Sequence, residues 1–351
     1  MAHQAYERLA EALDRLPNGF PRTSSGIEIT LLRRIFTPEQ AALAALLTRE
    51  MEPVEAIAAR AGLAVAEARA ALMGMARRGM VWFEREGGVS RFRLAPFIVG
   101  IYEAQLDVMD HELAHLVEDY LAQGGAAGIM GPEPALHRVI PAQAAVRPEW
   151  ILPYDDVRAI LLRARSFHVR DCICRVQQAQ LGRTCRFPVH SCLSFSSRES
   201  EPGPDSLTQE QALALLDEME EVGLVHSVSN VAQGLGYVCN CCGCCCGILR
   251  GINEYGIAHS IARANYVAAV DQDTCTACGI CAERCQVGAI REGEGAYEVM
   301  AERCIGCGLC VTGCPSGAAT LSRLPEAETV HPPSDFAAWE EERLRRRGAA
   351  S

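Results

Sequence analysis

The sequence predicts an α+β protein in three parts: an N-terminal module of short helices and a hairpin, a middle cysteine-rich metal-binding domain, and a C-terminal domain built on a repeated cysteine motif. Three observations predict it. All 18 cysteines of the 351 residues lie at or beyond Cys172, which confines thiol chemistry to the second half of the chain. Within that half, Cys275, Cys278, Cys281 and Cys285 recur as Cys304, Cys307, Cys310 and Cys314, all offset by 29 residues, the mark of an internal duplication. Before Cys172 the pattern is amphipathic helices punctuated by Gly and Pro, then a strand pair around Gly87-Gly88. The expected divisions are 1–100, 101–150 (a connecting helix and loop), 151–262 (cysteine-rich), 263–325 (the repeat) and 326–351 (a charged tail).

Composition narrows the chemistry. With 49% hydrophobic residues the chain has material for packed cores, and it lacks an apolar run long enough to span a bilayer. The first residues lack the apolar segment of a secretory signal, so a cytoplasmic, reducing setting is expected, in which dense cysteines read as metal ligands rather than disulfides. All 33 basic residues are arginine, which removes Walker A, Schiff-base and PLP lysines together. The formal charge of −11 excludes a general nucleic-acid binder.

Taken in order, the first helix ends near Leu16, before Pro17-Asn18-Gly19. Thr37-Pro38-Glu39-Gln40 is a helix start, with Thr as cap and Pro at the first helical position. A helix from about Pro53 to Arg60 meets Gly62, another runs from about Val65 to Arg78 and stops at Gly79, and 81–86 with 89–94 form a hairpin. This order resembles a winged helix-turn-helix, with 64–78 as recognition-type helix and 81–94 as wing. The resemblance implies either DNA contact through Arg69, Arg77, Arg78, Arg85, Arg91 and Arg93, or a protein-docking or dimerisation module of the same fold. Residues 38–100 hold 8 Arg and 7 Glu, the least acidic stretch of the chain but no strong basic stripe.

Residues 100–122 read as one long amphipathic helix, which also offers a face for a dimer. The Gly- and Pro-rich stretch from Gly124 to Pro153 reads as a loop and domain boundary. His111-Glu112-Leu113-Ala114-His115 matches H-E-x-x-H, yet no third ligand follows, and its acidic neighbours suggest a solvated helix face. Asp155–Arg165 is expected to be a helix, Ser166–Arg170 a strand, and Thr208 the cap of a helix that ends at Gly223.

The repeat carries the sharpest chemistry. Three thiolates two residues apart can wrap one face of a cubane while the fourth is carried to the other cluster. That pairs Cys275, Cys278 and Cys281 with Cys314, and Cys304, Cys307 and Cys310 with Cys285. Ala277, Gly279, Gly306 and Gly308 are small enough for close backbone approach to the sulfurs. The segment resembles a bacterial-type ferredoxin domain, which implies two [4Fe–4S] clusters and electron transfer. Gln286 stands where the second motif has Pro315, and an extra N–H beside one cluster is the expected consequence.

Ten cysteines remain: Cys172, Cys174, Cys185, Cys192, Cys239, Cys241, Cys242, Cys244, Cys245 and Cys246. Soft thiolates at this density select Fe–S, zinc or Cu(I), and one or two further Fe–S clusters are expected, with zinc in the 172–192 group as the alternative. Cys239, Cys241, Cys242 and Cys245 are the expected ligand set of the run. Arg175, Arg183 and Arg186 would offset cluster charge, bind an anion or form solvated surface, and His168, His190 and His226 flank the ligands as partners behind them or as satisfied core histidines. The Cys-x-Cys-Arg and Cys-Asn-Cys-Cys-Gly-Cys-Cys-Cys patterns resemble ferredoxin-fused iron–sulfur proteins of anaerobic bacteria, and the adjacent cysteines are also similar to those of heterodisulfide reductases. The expected function is multi-cluster electron transfer as a component or partner of an anaerobic oxidoreductase. Without a G-x-G-x-x-G fingerprint after a strand, hydride chemistry would belong to a flavin- or nicotinamide-dependent partner subunit. The rival is a redox-sensing DNA-binding regulator.

Overall fold

The computed structural model describes residues 2–348. Two compact units divide the chain: Met1–Pro132 with Val176–Arg183 and Arg343–Ser351, and Glu133–Arg175 with Thr184–Glu342. Among the described residues no helix is long and apolar enough to cross a membrane.

The first unit begins with the helices Ala2–Asp14, Ile27–Ile35 and Pro38–Ala44. Thr37 closes a reciprocal capping box, its hydroxyl accepting the Gln40 N–H while the Gln40 side chain accepts the Thr37 N–H at 3.0 Å. The helices Val54–Ala61 and Val65–Arg77 bury Ile57, Ala58, Ala68, Leu72 and Met75, and Gly62 ends the first of them in the left-handed conformation, φ 66°. Val81–Glu86 and Val89–Leu94 pair antiparallel around Gly87 and Gly88, both at positive φ, as a right-twisted two-residue hairpin requires. A two-residue strand, Glu52–Pro53, adds to the outer edge of Val89–Leu94. Two residues are too few to leave a periodic signal in sequence.

The long helix expected over 100–122 is broken. Phe97–Ile101 holds non-helical residues, with Val99 at φ 61°, and Glu103–Val108 winds as a 3-10 helix. The regular helix runs only from His111 to Tyr120. Asp110 explains the break: it leaves helical geometry and its carboxylate accepts the Leu113 N–H at 2.9 Å, so it starts a new helix instead of continuing an old one.

The second unit is organised by a six-stranded antiparallel sheet. In space its strands run His137–Ile140, Val225–Ser229, Tyr237–Cys241, His190–Ser196, Ser166–Asp171 and Ser206–Leu207. The helix Gln209–Val222 lies in one core with it, where Ala212 and Leu216 join Phe167, Leu193, Phe195, Val228 and Val238. His137–Ile140 lies in the stretch expected to be loop. All four of its residues are buried, and Arg138 is satisfied there by Asp155 at 2.5 Å, a pair invisible to hydropathy.

After the sheet, Tyr266–Val270 pairs with Ala319–Arg323, and Ile290–Glu292 pairs with Tyr297–Val299. The short helices Ile280–Arg284 and Leu309–Thr312 start 29 residues apart, so the duplication read in sequence is a duplication of structure. Arg284 fastens this part to the sheet layer, donating to Glu220 O and Glu221 O at 2.8 Å each, the open carbonyl end of Gln209–Val222. The charged tail forms a helix, Phe336–Arg347. Within the first unit, Arg343 is wholly buried and serves the carbonyls of Pro17, Ile129 and Pro132.

Candidate metal centres

The repeat segment positions its cysteines by backbone conformation. Ala277 (φ 50°) and Gly306 (φ 71°) are equivalent left-handed residues inside the two Cys-x2-Cys loops, and Gly279 and Gly308 repeat the pattern at φ 80° and 77°. A side chain is excluded at Gly306, because a Cβ there would lie 2.4 Å from Tyr266 O. Cys285, Cys304, Cys307 and Cys310 line one cavity together with Ala268, Val287, Ile305 and Leu309. Its wall is four thiols in an apolar shell, a donor set and environment that fit a [4Fe–4S] cluster. Burial pushes Cys310 up to about 12, reinforced by the negative charge of Cys304 and Cys285, as expected of thiols assembled for a metal that replaces their protons. Cys285 Sγ accepts the Ala289 N–H at 3.1 Å and Cys314 Sγ accepts the Ala319 N–H at 3.4 Å.

The other ten cysteines divide into two sets. Cys172 neighbours Cys174 and Cys192, Cys174 neighbours Cys246, Cys246 neighbours Cys241, Cys241 neighbours Cys239, and Cys239 neighbours Cys192. This succession of neighbours closes a ring of six thiols, more open than a close-set group. The sheet builds it: Cys239 and Cys241 alternate onto one face of Tyr237–Cys241, while Cys192 sits in the adjoining strand, whose register pairs Leu193 with Val238. Cys172 and Cys174 follow Ser166–Asp171, and Cys246 stands at the start of the helix Gly247–Asn253.

The second set is Cys185, Cys242, Cys244 and Cys245, whose sulfurs all lie within 4.8 Å of one another. Cys185 is 3.8 Å from Cys242 and 3.7 Å from Cys244, and Cys244 is 3.7 Å from Cys245. The expected grouping of Cys239, Cys241, Cys242 and Cys245 is therefore not how the thiols meet. The first two belong to the ring and the last two to the tetrad. Strand alternation separates Cys241 from its neighbour Cys242, information that a count of cysteines does not carry.

Arg175 serves both sets. It is 1% exposed, its guanidinium donates to Ser191 Oγ at 2.6 Å and Asn240 O at 2.8 Å, and its Nε–H has no hydrogen-bond partner. Burial disfavours its charge, but the thiols Cys172, Cys242, Cys241 and Cys185 outweigh that and hold it firmly protonated. Contact with Cys245, together with the Arg175 charge, brings Cys242 down to about 5. Arg183 is paired with Glu118 at 2.9 Å, and Arg186 stacks on Phe187.

Polar groups behind the ring were not anticipated. Ser227 Oγ is 3.5 Å from Cys241 Sγ and 3.3 Å from His137 Nδ1, while His137 Nε2 is 2.8 Å from the hydroxyl of Tyr237. Burial lowers His137 to about 4, so the ring is neutral. Of the flanking histidines, His226 meets Asn240 at 2.5 Å, His190 meets Asp171 at 2.8 Å, and His168 meets Ser200 at 3.0 Å.

In the first unit, His111 and His115 are exposed with ring centroids 4.5 Å apart, and Glu112 is paired with Arg34 at 3.2 Å. Of the arginines considered for DNA, Arg69 pairs with Glu55, Arg78 donates to Ile35 O, Arg91 to Met51 O, and Arg93 to Arg49 O while lying 4.2 Å over Trp82.

No curated protein and no solved structure matches the chain at a significant level. Residues 268–321 match the family model of the 4Fe-4S dicluster domain, and together with the thiol-lined cavity inside them they form an iron–sulfur, ferredoxin-like domain.

Proposed function

We propose that this chain is a multi-cluster electron carrier, a component or partner of an anaerobic oxidoreductase. The observation that carries the reading is the cavity bounded by Cys285, Cys304, Cys307 and Cys310, inside the segment that matches a dicluster family. On this reading those four residues hold one [4Fe–4S] cluster, Cys275, Cys278, Cys281 and Cys314 hold the other, and the six-thiol ring holds a further iron–sulfur centre. Bound there, the clusters supply one-electron carriers at low potential. The chain's own residues tune and protect them. N–H donors at Ala289 and Ala319 stabilise added negative charge on the sulfurs, and the Arg175 guanidinium does the same for the ring.

The N-terminal module is read as a winged helix that docks a partner protein. Most of its arginines are occupied within the module, which leaves few free to neutralise phosphates. A partner would supply the flavin or nicotinamide chemistry for which this sequence has no fingerprint.

The test is iron and acid-labile sulfide analysis with EPR on anaerobically purified protein. More than eight irons per chain, and signals that appear on reduction and vanish on reoxidation by a low-potential dye, are expected. Clusters that cannot be reduced and reoxidised would overturn the electron-transfer reading. About eight irons would remove the centre assigned to the ring.

A further inference from the structure

We infer that Cys185, Cys242, Cys244 and Cys245 form a mononuclear site that holds one tetrahedral zinc or iron ion, not an iron–sulfur cluster. The argument is geometric. With metal–sulfur bonds of about 2.3 Å, two thiolates on one tetrahedral ion stand about 3.8 Å apart. Three contacts of the tetrad measure 3.8, 3.7 and 3.7 Å, and all four sulfurs fall within 4.8 Å of one another. In a cubane each thiolate is carried by a different iron, with inorganic sulfide between them, so four thiolates cannot close onto one another in this way.

The same chain supplies the comparison. Cys285, Cys304, Cys307 and Cys310 surround a cavity, and among the described residues they form no such close-set group. One fold thus contains thiols held apart around a space and thiols gathered on a point.

Local structure explains the gathering. Cys246 N–H donates to Cys242 O at 3.1 Å, closing one tight turn that delivers Cys242, Cys244 and Cys245 to the same side. Gly243 is obligatory within it, since a Cβ there would lie 2.0 Å from Gln286 O. Cys185 reaches in from the loop after the helix Ile173–Gln180 as the fourth ligand. Four thiolates around a divalent ion leave a double negative charge, and the positive charge of the buried Arg175 guanidinium acts on two of them, Cys242 and Cys185. The assignment rests on these distances alone and stands or falls separately from the electron-transfer reading.

The experiment compares full-length wild-type protein with Cys244→Ser, chosen because Cys244 is the exposed member of the tetrad. Zinc, iron and acid-labile sulfide are counted per chain after anaerobic purification. The expected result is loss of one metal ion and no sulfide, with the ferredoxin-type EPR signals kept. Whether the lost ion is zinc or iron distinguishes a structural from a redox role. Loss of about four irons with about four sulfides, or no loss at all, overturns the inference. Should the variant fail to fold, the wild type decides. X-ray absorption showing zinc with four sulfurs at about 2.3 Å, or the high-spin EPR signal of one isolated iron per chain once ferricyanide has oxidised it to the ferric state, supports the site, and the absence of both overturns it.

Discussion

The side-chain oxygen of Gln286 accepts the backbone N–H of Gly243 at 2.8 Å, tying the residue after Cys285 to the turn between Cys242 and Cys244. Its amide nitrogen donates to Gly223 O at 2.9 Å, and Asn253 donates to its backbone carbonyl at 2.9 Å. The second motif has Pro315 at this place, which has no such side chain. The departure from the repeat therefore joins the dicluster segment to the cysteine-rich turn.

Replacing Gln286 by Ala leaves the Gly243 N–H and the Gly223 carbonyl without their partners. We expect a loss of about 1–3 kcal/mol in stability, read as a lower melting temperature. Gln286→Glu retains the acceptor and should lose less. Equal melting of all three proteins would refute the role.

Ala277 and Gly306 should respond in opposite senses. Ala277 holds a left-handed conformation that costs a residue with a Cβ about 1 kcal/mol, so Ala277→Gly should leave the melting temperature level or raise it. Gly306→Ala adds both that cost and a clash with Tyr266 O, and it should impair cluster content as well as stability. Matching behaviour of the two variants would count against the shared geometry.

His137 makes the fold acid-sensitive. Its folded value of about 4 lies below the ordinary 6.5, so between these values the unfolded chain binds a proton that the folded chain does not. Stability is full above pH 6.5, falls as pH drops toward 4, and the loss amounts to roughly 3 kcal/mol. The melting curve of His137→Gln should be flatter than wild type across that window; parallel curves would remove His137 as the cause.

Substituting His111 and His115 together by Ala should leave metal content and redox behaviour unchanged, because Glu112 is engaged with Arg34 and the two exposed imidazoles have no further ligand within reach among the described residues. Loss of one zinc per chain would revive a hydrolytic role.

Cys241→Ser and Cys242→Ser, though adjacent, should differ in kind. The first alters iron, sulfide and one EPR signal while the two ferredoxin signals persist; the second removes a single metal ion. Identical losses would show that the ten cysteines serve one centre.

The repeat was legible because its chemistry is written in sequence-local spacing. So were the caps at Thr37 and Thr208, and the hairpin at Gly87-Gly88, each of which depends on neighbouring residues. What escaped depends on partners far along the chain. The strand His137–Ile140 needs Asp155 to bury Arg138. The division of the ten thiols needs the pairing of His190–Ser196 with Tyr237–Cys241. The break before His111 was present in Asp110, a good cap, but the helical period on either side outweighed it.

Five adjacent or near-adjacent sulfurs, Cys241 to Cys246, feed two different destinations, and chemically they are the same ligand. No metal can tell Cys241 from Cys242. The discrimination is made by strand register, since a slip of one residue would turn Asn240 and Cys242 toward the ring and take Cys239 and Cys241 away from it. The hydrogen bonds of Asn240 to His226 and to Ser191 O pin that register from both sides. On the proposed assignment of the two sets, fidelity of metal loading would thus be delegated to an asparagine that binds no metal.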